Sequence, residues 1–387
     1  MSDGVTRRDF VKVGSAGVAL GLATSTLPGQ APGDEKLRCA FVGVGGRGGG
    51  LLQAVLGLEG VDIVAVCDTT PANLNRAREA IEQKQGRRPA GFGGAYDYRQ
   101  MLGSDKVDCC VIATPCDWHG RMYHDALVAG KPFYGEKPIA ITAKECKLLR
   151  ATREQHPNVV AQIGFQWGAH QGRADAIRRV KGGEIGELIE GRFCRHNGWG
   201  SLGRWFNDRK RSGDWMLEQA VHEFNLLWWV TGEHPLSAYT LGRTNVVEPQ
   251  NAKRDITDFY ATILEYPKGL VVHYAHGWIS PPNFGGMETK FIGTKGGLDV
   301  LGASLMLQGE KDPRPGEGAG GDTAEHLRNF FDAVRANDPK AVNCGIENGL
   351  QASYVGLMIR KSLDEKRKVT FEEMLEDGTP MPEPPEA

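Results

Sequence analysis

No C-x-x-C pair occurs among the eight cysteines, and Cys39, Cys67, Cys109 and Cys110 fall inside apolar strand-like runs. That spacing excludes a disulfide framework and a zinc knuckle, and marks these side chains as small buried hydrophobes. Charge of one sign is missing too. Forty-six Lys and Arg stand against 48 Asp and Glu, a formal −2, which leaves no electrostatic footprint for nucleic acid or an anionic membrane. No internal apolar run reaches the length that spans a bilayer, and neither repeats nor low-complexity tracts occur. A chain of 387 residues with 40% hydrophobic content is too long for one ordinary core and long enough for two.

The first 33 residues read differently from the rest. Thr6-Arg7-Arg8-Asp9-Phe10-Val11-Lys12 is a twin-arginine pattern, leading into a mild apolar stretch from Val13 to Leu27. It predicts export of an already folded protein through the twin-arginine machinery, hence a periplasmic or otherwise exported location. No clean A-x-A step precedes Pro28-Gly29-Gln30-Ala31-Pro32, so an uncleaved signal would serve as a membrane tether. No cysteine lies in the signal, which argues against lipoprotein processing.

The most informative stretch of the chain runs from Leu37 to Leu56. Leu37 to Val42 reads as a buried strand that leads into Gly43, Gly45 and Gly48, a G-x-G-x-x-G turn, and Leu51, Leu52, Val55 and Leu56 then open a helix. The first glycine permits the tight turn, the second lets backbone N–H groups approach a pyrophosphate, and the third lets helix pack on strand. Gly46 and Arg47 complete the turn at the helix N-terminus, where free N–H groups favour an anion. A second apolar strand, Val61–Cys67, ends at Asp68, twenty residues after Gly48. An acidic side chain there takes the ribose hydroxyls and repels a 2′-phosphate, so NAD is expected over NADP. Arg47 could offset that repulsion, which keeps NADP possible.

From 34 to 160 short apolar strands alternate with helical stretches, the mark of a parallel sheet covered on both faces. Expected strands are Leu37–Gly43, Val61–Cys67, Val107–Thr114, Pro132–Tyr134 and Val159–Ile163. Helices are expected at Asn73–Gln83, after Trp118, and at Thr142–Gln155 with Thr142 as N-cap. From 161 to 387 the strands Leu188–Arg195, Ser237–Arg243, Asp258–Tyr266, Leu270–Trp278 and Glu288–Ile292 lie close together, which predicts a mostly antiparallel, open-faced sheet. Helices over Trp215–Val230, Ala324–Ala336 and Glu347–Leu363 complete an α+β domain for substrate binding and oligomerisation. Gly309–Gly321 reads as a loop or lid. The fold class is thus an α/β Rossmann domain joined to an α+β domain.

Several motifs together resemble the glucose–fructose oxidoreductase / inositol dehydrogenase (Gfo/Idh/MocA) family. They are the glycine turn, Ala113-Thr114-Pro115 with His119, Gly135-Glu136-Lys137-Pro138, Gly213-Asp214-Trp215 through Glu218 to His222, and Gly293-Thr294-Lys295-Gly296-Gly297. The resemblance implies a Rossmann half holding NAD(P), with Thr114, Pro115, His119 and Glu136 at the cofactor, and a second half that closes over a sugar or polyol. It places Lys137 beside the nicotinamide, where a lysine of lowered pKa would move the proton of a hydroxyl being oxidised. Glu218 and His222, four apart, would share one helix face. His222 is expected to relay the proton with Lys137, and Glu218 to fix a substrate hydroxyl. The family more often has aspartate at the positions of Glu218 and Asn225. The Glu218–His222 pair could instead hold a metal, but no third ligand presents itself, so no metal site is expected.

Weaker substrate candidates are Asn225, on the helix of His222, and Trp199, Trp205 and Arg211, in a loop that also carries Arg195, His196, Arg204 and Arg209. Core or oligomer packing explains the tryptophans equally well. Gln166-Trp167-Gly168 stands where many relatives carry an arginine. The chain is expected to work on a small carbohydrate with a tightly held cofactor, as a homo-dimer or homo-tetramer. Two reactions remain open: oxidation of a sugar, polyol or glycoside hydroxyl, or a redox-neutral glycoside cleavage through a transient 3-keto sugar. A cofactor-binding protein without catalysis is the third reading.

Overall fold

The computed structural model describes residues 36–200 and 202–383. The twin-arginine segment lies outside the described residues.

Six strands form the first sheet: β1 (Leu37–Val42), β2 (Val61–Cys67), β3 (Ala90–Phe92), β4 (Cys109–Ile112), β5 (Phe133–Gly135) and β6 (Ala161–Ile163). All pair in parallel, in the order β3-β2-β1-β4-β5-β6. A parallel strand covered on both faces cannot alternate polar and apolar residues. Accordingly Cys39 to Val42 and Cys109 to Ile112 are buried without a break. On one face Cys39, Phe41, Ile63 and Val66 pack with Leu51, Leu52 and Val55 of the helix Gly46–Leu56. The same cluster takes Leu327, Phe330 and Phe331 from the helix Thr323–Ala336, late in the chain. On the other face Ala40, Val42, Cys110 and Ile112 join a core that runs on into the second half.

That half is built on nine strands, β7 (Leu188–Gly198), β8 (Ser237–Thr244), β9 (Thr257–Glu265), β10 (Val271–Ser280), β11 (Gly286–Gly293), β12 (Gly296–Asp299), β13 (Ser304–Leu307), β14 (Arg314–Pro315) and β15 (Val369–Thr370). Their order is β14-β13-β12-β11-β7-β10-β9-β8-β15, antiparallel except for the β7–β10 pair. The helices Val221–Thr231 and Ile346–Glu365 pack on each other, the latter also on β8, and the buried side chains of β8, β9 and β10 share their core. Side chains alternate across this sheet, so Leu264, Val272 and Tyr274 are buried while Tyr239, Leu241, Ile263 and Val271 face outward. The expected fold class is the observed one.

Four expectations need correction. The strand β6 lies just past the boundary expected at 160/161, yet it pairs with β5 and belongs to the first sheet. The helix expected over Trp215–Val230 is two pieces, Trp215–Glu218 and Val221–Thr231. The helix Gln171–Lys181, whose sequence is mostly polar and charged, and the short strands β3 and β12–β15 were not anticipated. The segment Gly309–Gly321 is no free lid. It carries β14, and its backbone binds the start of the helix Gln171–Lys181 through Gln171 N–H to Ala319 O (3.0 Å) and Glu317 N–H to Asp175 Oδ2 (3.0 Å).

Candidate active site

The glycine turn is shaped as a seat for a pyrophosphate. Gly43 has φ of +80°, and a Cβ there would stand 2.6 Å from the carbonyl oxygen of Ala113. A Cβ on Gly48 would collide with the Gly43 carbonyl, so the helix can approach the strand this closely only with glycine. Gly46, by contrast, has nothing within 4 Å of where a Cβ would be, and Gly45 has only the Asn73 side chain at 3.7 Å. Space is thus tight beneath the turn and open above it. The helix Gly46–Leu56 starts there with no side-chain cap on its free N–H groups. Asp68 closes the arrangement, accepting from Val44 N–H (2.8 Å) and Thr70 N–H (2.8 Å). These residues fit the pyrophosphate and ribose of NAD.

A cavity of about 270 Å³ lies past the ends of β4 and β5. It is lined by Arg47, Ala113, Thr114, Cys116, Glu136, Lys137, Gln166, Trp205, Phe206, Glu218 and His222. Lys137 comes after β5, and its Nζ donates to the Glu218 carbonyl and to Glu218 Oε1 at 3.0 Å. Burial opposes the lysine's charge. The carboxylates of Glu218 and Glu136 outweigh it and hold the ammonium above its ordinary value. The lowered lysine pKa expected from the sequence is therefore corrected: Lys137 is a cation here.

Arg47 also differs from expectation. Its Nε donates to Glu136 Oε1 at 2.7 Å, so the guanidinium is committed to the cavity. Burial, then the charges of Lys137, Arg195 and Arg47, push the His222 imidazole well below its usual range. It is neutral, and its buried Nδ1 has no hydrogen-bond partner. The side chain packs edge-on to Phe165 and tilted against Trp167. Trp167 is in turn held through its carbonyl by Arg173 Nη1 at 2.6 Å. Two cations and two carboxylates thus line the cavity as pairs, around one neutral imidazole.

What sets Glu218 in place is Asp214, a non-glycine residue at φ of +71°. Its buried carboxylate accepts from Trp215 N–H (2.7 Å), Thr257 N–H (3.1 Å) and Thr257 Oγ1 (2.6 Å), and pairs with Arg209 Nε (3.1 Å). Its carbonyl accepts the Glu218 N–H at 2.8 Å. So many contacts offset the left-handed backbone and tie the Glu218 turn to β9.

Other candidates fall elsewhere. His119 is buried with Nδ1 2.7 Å from Pro138 O and Nε2 2.8 Å from Thr114 O, bracing the backbone behind the cavity, not lining it. Pro115 is also outside the lining. Trp199 is 60% exposed, away from the cavity wall. Arg211 binds Asp117 (2.9 Å) and lines a separate, larger cavity of about 920 Å³ beside Asp208 and Arg360 that contains neither Lys137 nor His222. Asn225 is buried and holds Asn348 (3.0 Å). Trp205, stacked on Phe206, is the one weaker substrate candidate in the wall. Cys116, Gln166 and Phe206 were missed as lining residues, although each neighbours a motif residue. Among the described residues no cluster of three metal-binding side chains occurs, and no helix is long and apolar enough to cross a membrane.

Comparison with known proteins agrees with this geometry. Residues 37–165 match the family model described as an oxidoreductase family with an NAD-binding Rossmann fold, and 174–299 match the GFO/IDH/MocA C-terminal domain. The alpha-N-acetylgalactosaminidase of Shewanella oneidensis is 34% identical over 163 residues, 42% of this chain and 35% of that protein. A glycosyl hydrolase family 109 protein of Shewanella baltica is 30% identical over 209 residues, 48% of this chain and 45% of that protein. The chain thus aligns with less than half the length of these curated relatives. Among solved structures, a levoglucosan dehydrogenase with NADH and levoglucosan superposes with a TM-score of 0.73 at 17% identity, over 87% of this chain and all of that one. A scyllo-inositol dehydrogenase from Lactobacillus casei gives 0.71 at 19%, over 87% and 99%. At those identities the likeness establishes the fold. Together the two matched models span most of the described chain, and this protein belongs to the Gfo/Idh/MocA oxidoreductase family, with NAD as the cofactor of its Rossmann half.

Proposed function

We propose that this chain oxidises a secondary hydroxyl of an uncharged carbohydrate or polyol in the cavity between the glycine turn and the helix that carries His222. The observation that carries the reading is the Lys137 ammonium, held by two oxygens of Glu218 in a cavity whose charges cancel. A site without net charge suits a neutral, many-hydroxyl ligand, and Trp205 offers it an apolar ring face. Bound NAD supplies the acceptor for the hydrogen and electron pair removed from carbon. Lys137 donates to the substrate oxygen and stabilises the charge that develops on it. His222, neutral and in the cavity wall, accepts the hydroxyl proton. Glu218 holds Lys137 and a neighbouring hydroxyl. With Thr6–Lys12 directing export, the protein folds around its cofactor before it leaves the cytosol and retains it afterwards.

Purified protein would be mixed with NAD and a panel of sugars, polyols and glycosides, with reduced nicotinamide monitored by absorbance and products by mass. A keto sugar or lactone is expected. No reduction with any member of the panel would sink the proposal. A second reading, redox-neutral glycoside cleavage, is favoured by relatives named for glycosyl hydrolase family 109 at 30–36% identity. It predicts NAD-dependent release of the aglycone, for example from an N-acetylgalactosaminide, with no net nicotinamide reduction.

A further inference from the structure

In an unbroken helix the carbonyl of Glu218 would accept the N–H of His222. Here that N–H turns to Gln219 O at 3.3 Å, and the Glu218 carbonyl accepts Lys137 Nζ instead. The break falls between Trp215–Glu218 and Val221–Thr231, with Gln219 at φ −117°, ψ −51°. Breaks of this kind usually come from a proline or glycine. Neither occurs between Asp214 and Thr231; instead Ala220 N–H skips to Trp215 O (2.9 Å), a π-type step that side-chain contacts must hold in place.

Gln219 supplies them. Its Oε1 accepts from His276 Nε2 at 2.7 Å and from Asn197 Nδ2 at 3.0 Å. His276 stands on β10 and Asn197 near the end of β7, two strands paired side by side. His276 is buried, and its Nδ1 has no partner, so the single N–H of a neutral ring sits on Nε2 and is given to Gln219. A glutamine fixed to two strands at once pins the point where the ladder slips: its own N–H still reaches Trp215 O (3.2 Å), while Ala220 N–H takes the same carbonyl (2.9 Å).

We propose that Gln219, clamped by His276 and Asn197, is a positioning residue that keeps the helix open and so presents the Glu218 carbonyl to Lys137. The proposal rests on the reading of Lys137 as the active-site ammonium. Around that ammonium stand Glu218, Glu136, Cys116 and His222. Without the clamp the His222 N–H returns to the Glu218 carbonyl, and Lys137 keeps only the carboxylate on its flexible stem. One hydrogen bond to a charged group is lost.

The test reads Lys137 directly. Acetic anhydride labelling of the NAD-loaded protein would be measured at Lys137 by peptide mass across a pH series, beside kcat and KM. In Gln219→Leu and His276→Phe the ammonium gives up its proton more easily, so labelling at a fixed mildly alkaline pH should rise about 10-fold or more, the worth of one charged hydrogen bond. The kcat should fall by a similar factor, with KM little changed and NAD occupancy intact. His276→Gln keeps a donor and should restore wild-type labelling. Wild-type labelling in folded Gln219→Leu, or equal impairment in His276→Gln and His276→Phe, would overturn the proposal. Should Gln219→Leu not fold, Asn197→Ala removes one donor and must shift labelling the same way by less; no shift there also overturns it. Labelling needs no substrate. If no carbohydrate is oxidised at all, the function fails while this inference is still decided.

Discussion

The two sheets bring their residues to the cavity by different routes. The first delivers Thr114, Glu136 and Lys137 from the chain just past β4 and β5, so each position is set by where a strand stops. The second delivers Glu218 and His222 from an interrupted helix lying over the covered face of a sheet. In the first route local sequence decides the geometry. In the second, distant partners do, because Gln219 is set by Asn197 and His276, 22 and 57 residues away. A nucleotide seat can therefore be read from one short motif, whereas the chemistry beside it depends on tertiary contacts.

The largest expected effect tests whether the cavity performs proton chemistry. Lys137→Ala should lower the rate of carbohydrate oxidation roughly 100-fold to 10,000-fold, measured as single-turnover nicotinamide reduction. NAD binding should persist, because the pyrophosphate seat is built by Gly43, Gly45, Gly48 and the helix N-terminus. A near wild-type rate would reduce Lys137 to a cross-link between the halves. His222→Ala should lose rate as well, without the loss of NAD.

Next comes the seat itself. Gly48→Ala pushes a methyl group into the Gly43 carbonyl, and overpacking of that kind costs about 1–3 kcal/mol. NAD affinity, measured by titration, should drop roughly tenfold to a hundredfold, while kcat at saturating NAD recovers. Unchanged affinity would mean that the turn is not where the pyrophosphate rests.

The same contrast explains what was legible. The turn, the buried runs of β1, β2 and β4, and the Thr142 N-cap, which accepts Glu145 N–H at 3.2 Å, all arise from local patterns. β3 is three partly exposed residues, Ala90–Phe92, with no apolar run to announce it. The helix Gln171–Lys181 buries Ala176, Ile177 and Val180 among so many charges that its stripe is faint. Glu218 and His222 do reach one cavity, but through a broken helix and not by the regular spacing from which they were expected to meet. The pKa of Lys137 shifts opposite to the direction its sequence suggests, because burial is visible in an apolar strand end and the folded-in Glu218 is not. Arg211 and Trp199 looked equal to Trp205 by residue type, and only the path of the loop separates them.

Asp68 offers a sharper cut within the nucleotide half. Asp68→Ser removes a charged acceptor for ribose hydroxyls and loosens Val44, whose N–H it holds at 2.8 Å. Both cofactors should bind more weakly, NAD by about 10-fold and NADP by less, since repulsion of the 2′-phosphate disappears too. Arg47 cannot easily compensate, being engaged by Glu136. Equal losses for NAD and NADP would leave Asp68 with only its grip on the turn.

The smallest effect belongs to the second half and concerns pH. Glu223 is buried one residue from His222, where Arg195 Nη1 reaches its Oε1 at 3.1 Å and Oε2 has no partner. Burial raises its carboxyl to about 7, against the opposing charge of Arg195. The folded state therefore holds a proton that the unfolded chain releases near the usual carboxylate range. Stability from this group is full below about pH 4.5 and is lost as pH climbs through about 7. Glu223→Gln cannot titrate. The unfolding free energy of the wild type relative to Glu223→Gln, read from melting curves, should thus fall between those pH values and level off above them, by an amount on the order of 1 kcal/mol once the Arg195 pairing is counted. Parallel melting curves across that window would show that the carboxyl ionises as freely in the fold as outside it. The covered face of the second sheet would then tolerate charge as readily as the strand ends of the first.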